Sequence, residues 1–336
     1  MPLKTHIISF PGLGIDEIKI NTNVIEFGNF RVAWYGLIIM IGIICAITYV
    51  WFRMKEYGYS SDDLIDLAFF VVLSGVLGAR IYYVLFELDE YIVTGNGGFF
   101  ANFIATLGEM IAIWEGGLAI YGGIIAGGIA GVLVAKHKKI NILKMLDFLA
   151  PGVMLAQAIG RWGNFMNGEA FGGPTALLWR MHSTRIVNNF LELDLVDGLD
   201  YFALLNGEIG AHPTFLYESL WNFAGFVAIW LIYIKLKNTK HLYKFNGQIF
   251  YTYLTWYGLG RAWIEGLRTD SLWLVDGVIR VSQLVAVLSF IVGAALMAYS
   301  FVTLYKGKEN VLVKKVTPPT NVEIEKSEEI KNGEDN

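Results

Sequence analysis

Runs of predominantly apolar residues, each about as long as the twenty or so an α-helix needs to cross hydrocarbon, recur along the chain. They lie near 32–52, 64–87, 117–135, 145–165, 214–236, 246–264 and 280–305. The pattern predicts an all-α polytopic membrane protein with about seven transmembrane helices. Within the third run, Gly123, Gly127 and Gly131 form a small-xxx-small stripe that lets a neighbouring helix approach closely. After the seventh run the pattern stops: "KVTPPTNVEIEKSEEIKNGEDN" cannot bury apolar area, so 306–336 is expected to be a disordered tail. The expected organisation is an N-terminal segment at 1–30, a membrane domain at 31–305 with an extramembrane insertion at about 168–212, and that tail.

Composition agrees with the pattern, since 55% of the 336 residues are hydrophobic and only 17% are charged. That balance excludes an ordinary soluble enzyme. The formal net charge of −4 gives no reason to expect nucleic acid as a partner. Where the charges lie is more informative. Lysines crowd the loops 136–144 ("KHKKINILK") and 235–244 ("KLKNTKHLYK") and the segment after 305, while 88–116 carries acids and no lysine or arginine. By the positive-inside rule the N-terminus is then outside, the C-terminus is cytoplasmic, and the insertion is extracytoplasmic. Arginines behave differently: Arg31, Arg80, Arg161, Arg180, Arg185, Arg261, Arg268 and Arg280 all fall at or near the outer face. An anionic ligand there would account for them, and so would ion pairs with Glu87, Glu115, Glu169, Glu218 or Glu265. The first thirty residues show no apolar signal region with a cleavage site. The only cysteine, Cys45, is preceded by Ile44 and sits in an apolar run, which fits packing better than a disulfide, a metal cluster or a lipid-acceptor site.

Polar chemistry gathers at four of the run ends. "AQAIGRWGNFMNGEAFGG" (156–173) brings Arg161, Asn164, Asn167 and Glu169 to the end of the fourth run, with Gly172 beyond them. A guanidinium and two carboxamides beside hydrocarbon need partners. In "WYGLGRAWIEGLR", Arg261, Glu265 and Arg268 are spaced i, i+4, i+7, which predicts one helix face, with Tyr257 a turn earlier. "HPTFLYES" offers His212, Tyr217 and Glu218, and "FRVAWYGL" offers Tyr35. His212 before a proline also reads as an ordinary turn residue, and Tyr35 as part of an interfacial aromatic belt. No HExxH, GxxxxGK[ST], GxSxG or strand-borne GxGxxG is present, so zinc proteolysis, nucleotide hydrolysis and serine-nucleophile chemistry lack their usual parts. No metal or organic cofactor is indicated. An outer pocket of arginines, amides, tyrosines and carboxylates opening toward lipid suits a phospholipid headgroup. A lipid- or anion-binding transporter is the alternative, although no internal repeat is evident.

The run from Gly160 through Arg161, Gly163, Asn164, Phe165 and Asn167 to Glu169, followed by Gly172, resembles the signature of the prolipoprotein diacylglyceryl transferase family. "RVAWYGL", "GARIYYVLF", "WEGGLAIYGG", "HPTFLYES" and "YGLGRAWIEGLR" resemble that family in its order, between residues 30 and 290. The resemblance implies transfer of the sn-1,2-diacylglyceryl group of phosphatidylglycerol to the lipobox cysteine of a preprolipoprotein signal peptide. It implies that Arg161 and Arg261 contact phosphate, and that Asn164, Gly172, Glu265, Arg268, Tyr35 and Tyr257 occupy functional positions. One departure stands out. Many members read His-Gly-Gly where this chain has Tyr121-Gly122-Gly123, and that histidine has been proposed as a base. Tyr121, His212 and Glu169 are therefore the candidates for activating the thiol.

Overall fold

The computed structural model describes residues 5–27, 30–55, 59–93, 98–113, 116–196, 200–238, 245–275 and 277–308. The tail beyond 308, positions 239–244 of the second basic loop, and Glu115 lie outside the described residues. Two hairpins open the chain: β1 (Thr5–Phe10) pairs with β2 (Ile15–Asn21), and β3 (Asn23–Phe27) pairs with β4 (Phe30–Ala33). Helices follow as α1 (Trp34–Lys55), α2 (Ser61–Phe86), α3 (Leu88–Tyr91), α4 (Gly98–Ile111), α5 (Ile120–His137) and α6 (Ile142–Met166). Short elements come next: β5 (Pro174–Thr175), α7 (Thr184–Glu192), α8 (Tyr201–Leu205) and β6 (Gly210–Ala211). The chain ends in α9 (Thr214–Asn238), α10 (Gln248–Leu267), the hairpin β7 (Trp273–Val275) and β8 (Ile279–Arg280), and α11 (Val281–Tyr305).

Among the described residues, α1, α2, α5, α6, α9 as far as Ile232, and α11 make 6 helices long and apolar enough to cross a membrane. Much of their surface turns apolar side chains outward, such as Phe69, Leu77, Ile81 and Leu85 on α2 and Ile124, Ile129 and Leu133 on α5. Hydrocarbon is the solvent that surface suits, and the chain is a multi-pass membrane protein. The run expected at 246–264 is also helical, as the 20-residue α10. Its tyrosines, threonines, Arg261 and Glu265 keep it out of the apolar set.

The chain divides into two compact units, one made of Met1–Val50 and Leu146–Pro318, the other of Trp51–Met145 and Pro319–Asn336. In the second unit, α2 begins with a capping box: Ser60 Oγ accepts from the Asp63 amide, and the Ser60 amide donates to Asp63 Oδ2. Its packing against α5 depends on missing side chains. A methyl group at Gly122 would overlap the Gly78 carbonyl oxygen, and one at Gly123 or Gly127 would come within 3.2 Å of the Gly75 or Val71 carbonyl oxygen. Gly123 and Gly127 of the glycine stripe thus line a helix seam, and Gly122 beside them lies in it too. Arg80, only 6% exposed, donates to the carbonyls of Glu109, Met110, Gly116 and Gly117 and fixes that segment onto α2.

In the first unit, Asp147 of α6 accepts from the amides of Gly247 at 2.6 Å and Phe250 at 2.9 Å. A carboxylate from one helix thereby caps the positive end of another. Above the helices, Ile8 and Ile20 of the first hairpin share a core with Phe171, Met181, Ile186, Phe190, Leu204 and Phe215. Reciprocal backbone bonds between Ser9 and His182, both 2.9 Å, join the N-terminal hairpin to the segment ahead of α7. Residues of the first hairpin and of the segment from Phe171 to Phe215 thus share one small core.

Candidate active site

The last turn of α6 builds the site from its own signature residues. The helix ends with the Gly168 amide bonded to the Phe165 carbonyl, and the chain reverses through Gly168 at φ 64° and Ala170 at φ 57°. Glycine suits the left-handed conformation; Ala170 adopts it at some cost. The reversal folds Glu169 back over the helix end, where its Oε1 accepts from Asn164 Nδ2 at 3.0 Å and Asn167 Nδ2 at 3.2 Å. With its amide nitrogen so engaged, Asn164 turns Oδ1 toward Arg161 Nη1, 3.1 Å away. Glu169 thus reaches Arg161 through Asn164 and not as the direct ion-pair partner that the sequence allowed.

Arg161's carboxylate partner is Glu218, on the second turn of α9. Glu218 Oε1 lies 2.7 Å from Arg161 Nη2, and its Oε2 lies 2.6 Å from Arg261 Nη1 on α10. With its side chain 3% exposed, Glu218 forms one bridge between two guanidinium groups. Arg261 Nη2 also stands 2.6 Å from Glu265 Oε2, bent out of hydrogen-bond alignment, so that contact is Coulombic. Glu265 is held in turn through its backbone carbonyl, which accepts from Arg280 Nη1. Two arginines and two glutamates make a locally neutral cluster. A buried charge left unpaired would be costly, and here each has an opposite neighbour. Tyr257 lies within electrostatic reach of all four and stacks on Tyr253 at 5.7 Å between ring centres. Tyr35, at the start of α1, lies against Gly163, where a methyl group would stand 3.0 Å from its ring, and within electrostatic reach of Glu169 and Arg161.

Gly172 clamps three parts of this end together. Its amide donates to the His212 carbonyl at 2.8 Å, it bridges to Arg268, and a methyl group there would stand 2.8 Å from the Leu267 carbonyl oxygen. Nearby, His212 Nδ1 lies 3.2 Å from the Tyr217 hydroxyl, which accepts from Trp179 Nε1 at 2.6 Å. Burial pulls the His212 imidazole below its ordinary value of 6.5, favouring the neutral ring.

Two expected members, Arg268 and His212, bond elsewhere. Helix α10 ends at Leu267, so Arg268 leaves the face it was assigned with Arg261 and Glu265 and forks onto Asp270 at 2.9 and 2.8 Å. Tyr121 occupies the second position of α5, in the other unit. His212 is bonded toward Tyr217 rather than toward the arginines. An anionic ligand is also unnecessary to account for most of the outer arginines. Arg80 and Arg180 are bonded to backbone carbonyls, Arg185 Nη1 donates to the Asn167 carbonyl, and Arg280 also lies over Trp273. Carbonyl oxygens of tight turns explain the choice of arginine, with its five donors, over lysine. Nothing in the spacing singles out Glu218 as the centre of the cluster; the available signal was a carboxylate inside an apolar helix, which demands a cationic partner. Among the described residues, no group of three His, Cys, Asp or Glu side chains could hold a metal ion.

Arg161 of the membrane helix α6 and Arg261 of α10 thus share one buried carboxylate in a multi-pass membrane protein. Residues 22–299 match the family model described as prolipoprotein diacylglyceryl transferase. A phosphatidylglycerol–prolipoprotein diacylglyceryl transferase of Staphylococcus aureus strain MSSA476 is 40% identical over 289 residues, covering 85% of this chain and 91% of the relative. One from strain MRSA252 is 41% identical over 287 residues, covering 85% and 89%. The chain belongs to the prolipoprotein diacylglyceryl transferase family, and so is a membrane-embedded transferase of lipoprotein biosynthesis.

Proposed function

We propose that the chain transfers the sn-1,2-diacylglyceryl group of phosphatidylglycerol to the lipobox cysteine of a preprolipoprotein signal peptide, at the extracytoplasmic face of the cell membrane. The cysteine sulfur attacks the glyceryl carbon that carries the phosphate ester. A carbon–sulfur bond forms, the carbon–oxygen bond breaks, and glycerol phosphate leaves with the electron pair. The thiol proton passes to a basic group or to water.

The observation that supports this reading is the Glu218-bridged arginine pair. Each guanidinium has five N–H donors. Arg161 commits one to Asn164 and one to Glu218, which leaves three for phosphate oxygens. Glu218 holds both forks in place before substrate arrives, so charge growing on the leaving phosphate meets donors that need not reorganise. A thiol of ordinary pKa near 8.5 is mostly protonated at neutral pH, so forming the thiolate calls for a proton acceptor beside the cysteine. Glu169, Tyr121 and neutral His212 remain the proton acceptors to compare. The N-terminus is outside and the C-terminus cytoplasmic in this reading, from the lysine asymmetry. The test is purified full-length protein with phosphatidylglycerol and a lipobox peptide, followed by mass spectrometry. A diacylglyceryl thioether with an equal amount of glycerol phosphate is expected; lipid binding without product would refute the transferase assignment and favour a binding or transport role.

A further inference from the structure

One helical turn below the arginine pair, the protein buries polar groups that have no hydrogen-bond partner among the described residues. Asn222 is 0% exposed, and neither its Oδ1 nor its Nδ2 has a hydrogen-bond partner among the described residues. Gln157 donates through Nε2 to the Tyr253 hydroxyl at 3.2 Å, but its Oε1 is buried with no partner among the described residues. Leaving such atoms unmet is costly, and buried polar groups are nearly always satisfied unless something else visits them.

Their placement indicates what visits. Gln157 precedes Arg161 by four residues on α6, and Asn222 follows Glu218 by four on α9. Each is therefore on the same helix face as its arginine-layer neighbour, about 5.4 Å along the axis. Helix α9 runs antiparallel to α6 and α10. Ser219 Oγ bonds the Ala158 carbonyl, and Trp221 and Trp256 each donate to the other's carbonyl at 3.0 Å. These contacts set Asn222 level with Gln157 and with the Trp256–Tyr257 turn. The unpartnered set comprises two acceptors, Gln157 Oε1 and Asn222 Oδ1, and one amide donor, Asn222 Nδ2. Both side chains are neutral amides, and hydroxyls, which both donate and accept, fit them.

We propose that Gln157 and Asn222 form a hydroxyl-binding layer that receives the two free hydroxyls of the glycerol headgroup while its phosphate lies on Arg161 and Arg261. This rests on the phosphate reading given above. From the phosphate ester oxygen to the far hydroxyl a three-carbon glycerol reaches on the order of 5 Å, by bond lengths of about 1.5 Å, which matches one helical turn. The layer selects phosphoglycerol over phosphate esters of plain alcohols, because an analogue lacking hydroxyls leaves three buried groups unmet.

The test is calorimetric titration of the full-length protein in detergent with sn-glycerol 1-phosphate and with n-propyl phosphate, which has the same charge and carbon count without the hydroxyls. Wild type is expected to bind glycerol phosphate roughly ten- to a hundredfold more tightly. Asn222→Leu should keep the affinity for propyl phosphate and bring the preference to within about twofold, with Gln157→Leu intermediate. Equal affinities in wild type, a comparison that needs no variant to fold, would overturn the layer while leaving the phosphate reading intact. A preference retained by folded Asn222→Leu would overturn it too. Binding of neither ligand would count against both. Phosphatidylglycerol and phosphatidylpropanol in mixed micelles should show the same ratio; a preference seen only with the free phosphates would overturn the assignment to a lipid headgroup.

Discussion

Replacing Glu218 by glutamine removes one negative charge and little volume, and it tests the bridge between the arginines. The carboxylate offers Oε1 to Arg161 at 2.7 Å and Oε2 to Arg261 at 2.6 Å. Glutamine can satisfy only one of these, and its amide nitrogen then faces the donors of the other guanidinium. Breaking a buried ion pair from one side costs about 3–5 kcal/mol, because it leaves a charge behind. The side chain is 3% exposed, so water offers little relief. The cluster of Arg161, Arg261, Glu218 and Glu265 shifts from neutral to one net positive charge. An anionic phosphate restores neutrality, so the variant should gain more from ligand than wild type does. Thermal unfolding in detergent should show an apparent Tm lower by on the order of 5–10 °C, a larger upward shift on adding phosphatidylglycerol, and slower transfer because the two forks no longer share an anchor. A Tm and lipid-induced shift equal to wild type would refute the bridge, and wild-type turnover would refute its role in holding the forks.

Arg161→Lys keeps the charge but cannot reach Asn164, Glu218 and a phosphate with one ammonium; transfer should fall by roughly thirty- to a thousandfold, an effect of about 2–4 kcal/mol. Exposed Arg31 is the control, its lysine variant expected to be near normal, whereas Arg180, bonded to the Gly207 carbonyl at 2.7 Å, is not a neutral one. Burial lowers the His6 and His212 imidazoles below 6.5, with the nearby Arg185 charge adding to the effect at His6. The unfolded chain then binds more protons below that value, so stability is full above about pH 6.5 and is lost as pH falls through it. A His6→Gln/His212→Gln double variant should flatten the Tm profile between pH 7.5 and about 5.5; an unchanged slope would show that these rings do not set it. For orientation, a cysteine at Tyr201 should react with an impermeant maleimide in intact cells and one at Lys139 should not, and reversed labelling would place the arginine pair on the cytoplasmic face.

The helices were legible because hydrocarbon thickness imposes a length that composition reveals. The runs near 32–52 and 280–305 became Trp34–Lys55 and Val281–Tyr305, and even the more polar run at 246–264 became α10. Within the site, Asn164, Asn167 and Glu169 could be grouped because they are neighbours along one helix end. Long-range pairings were not legible. Glu218 lies 57 residues from Arg161 and 43 from Arg261, and only packing of α6, α9 and α10 makes it their common anchor. The union of the N-terminal hairpin with the segment ahead of α7 rests on Ser9 and His182, 173 residues apart. Arg268 misled because i, i+7 spacing means one face only while the helix lasts, and α10 stops at Leu267.

The most direct measurement is an experimental structure of the protein with phosphatidylglycerol bound. The phosphate is expected within about 3 Å of guanidinium nitrogens from both Arg161 and Arg261, a charge-assisted hydrogen-bond distance, with Glu218 still held between the two side chains. A phosphate bound elsewhere, with the Arg161–Glu218–Arg261 bridge closed and untouched, would contradict the assignment of this pair to the leaving group.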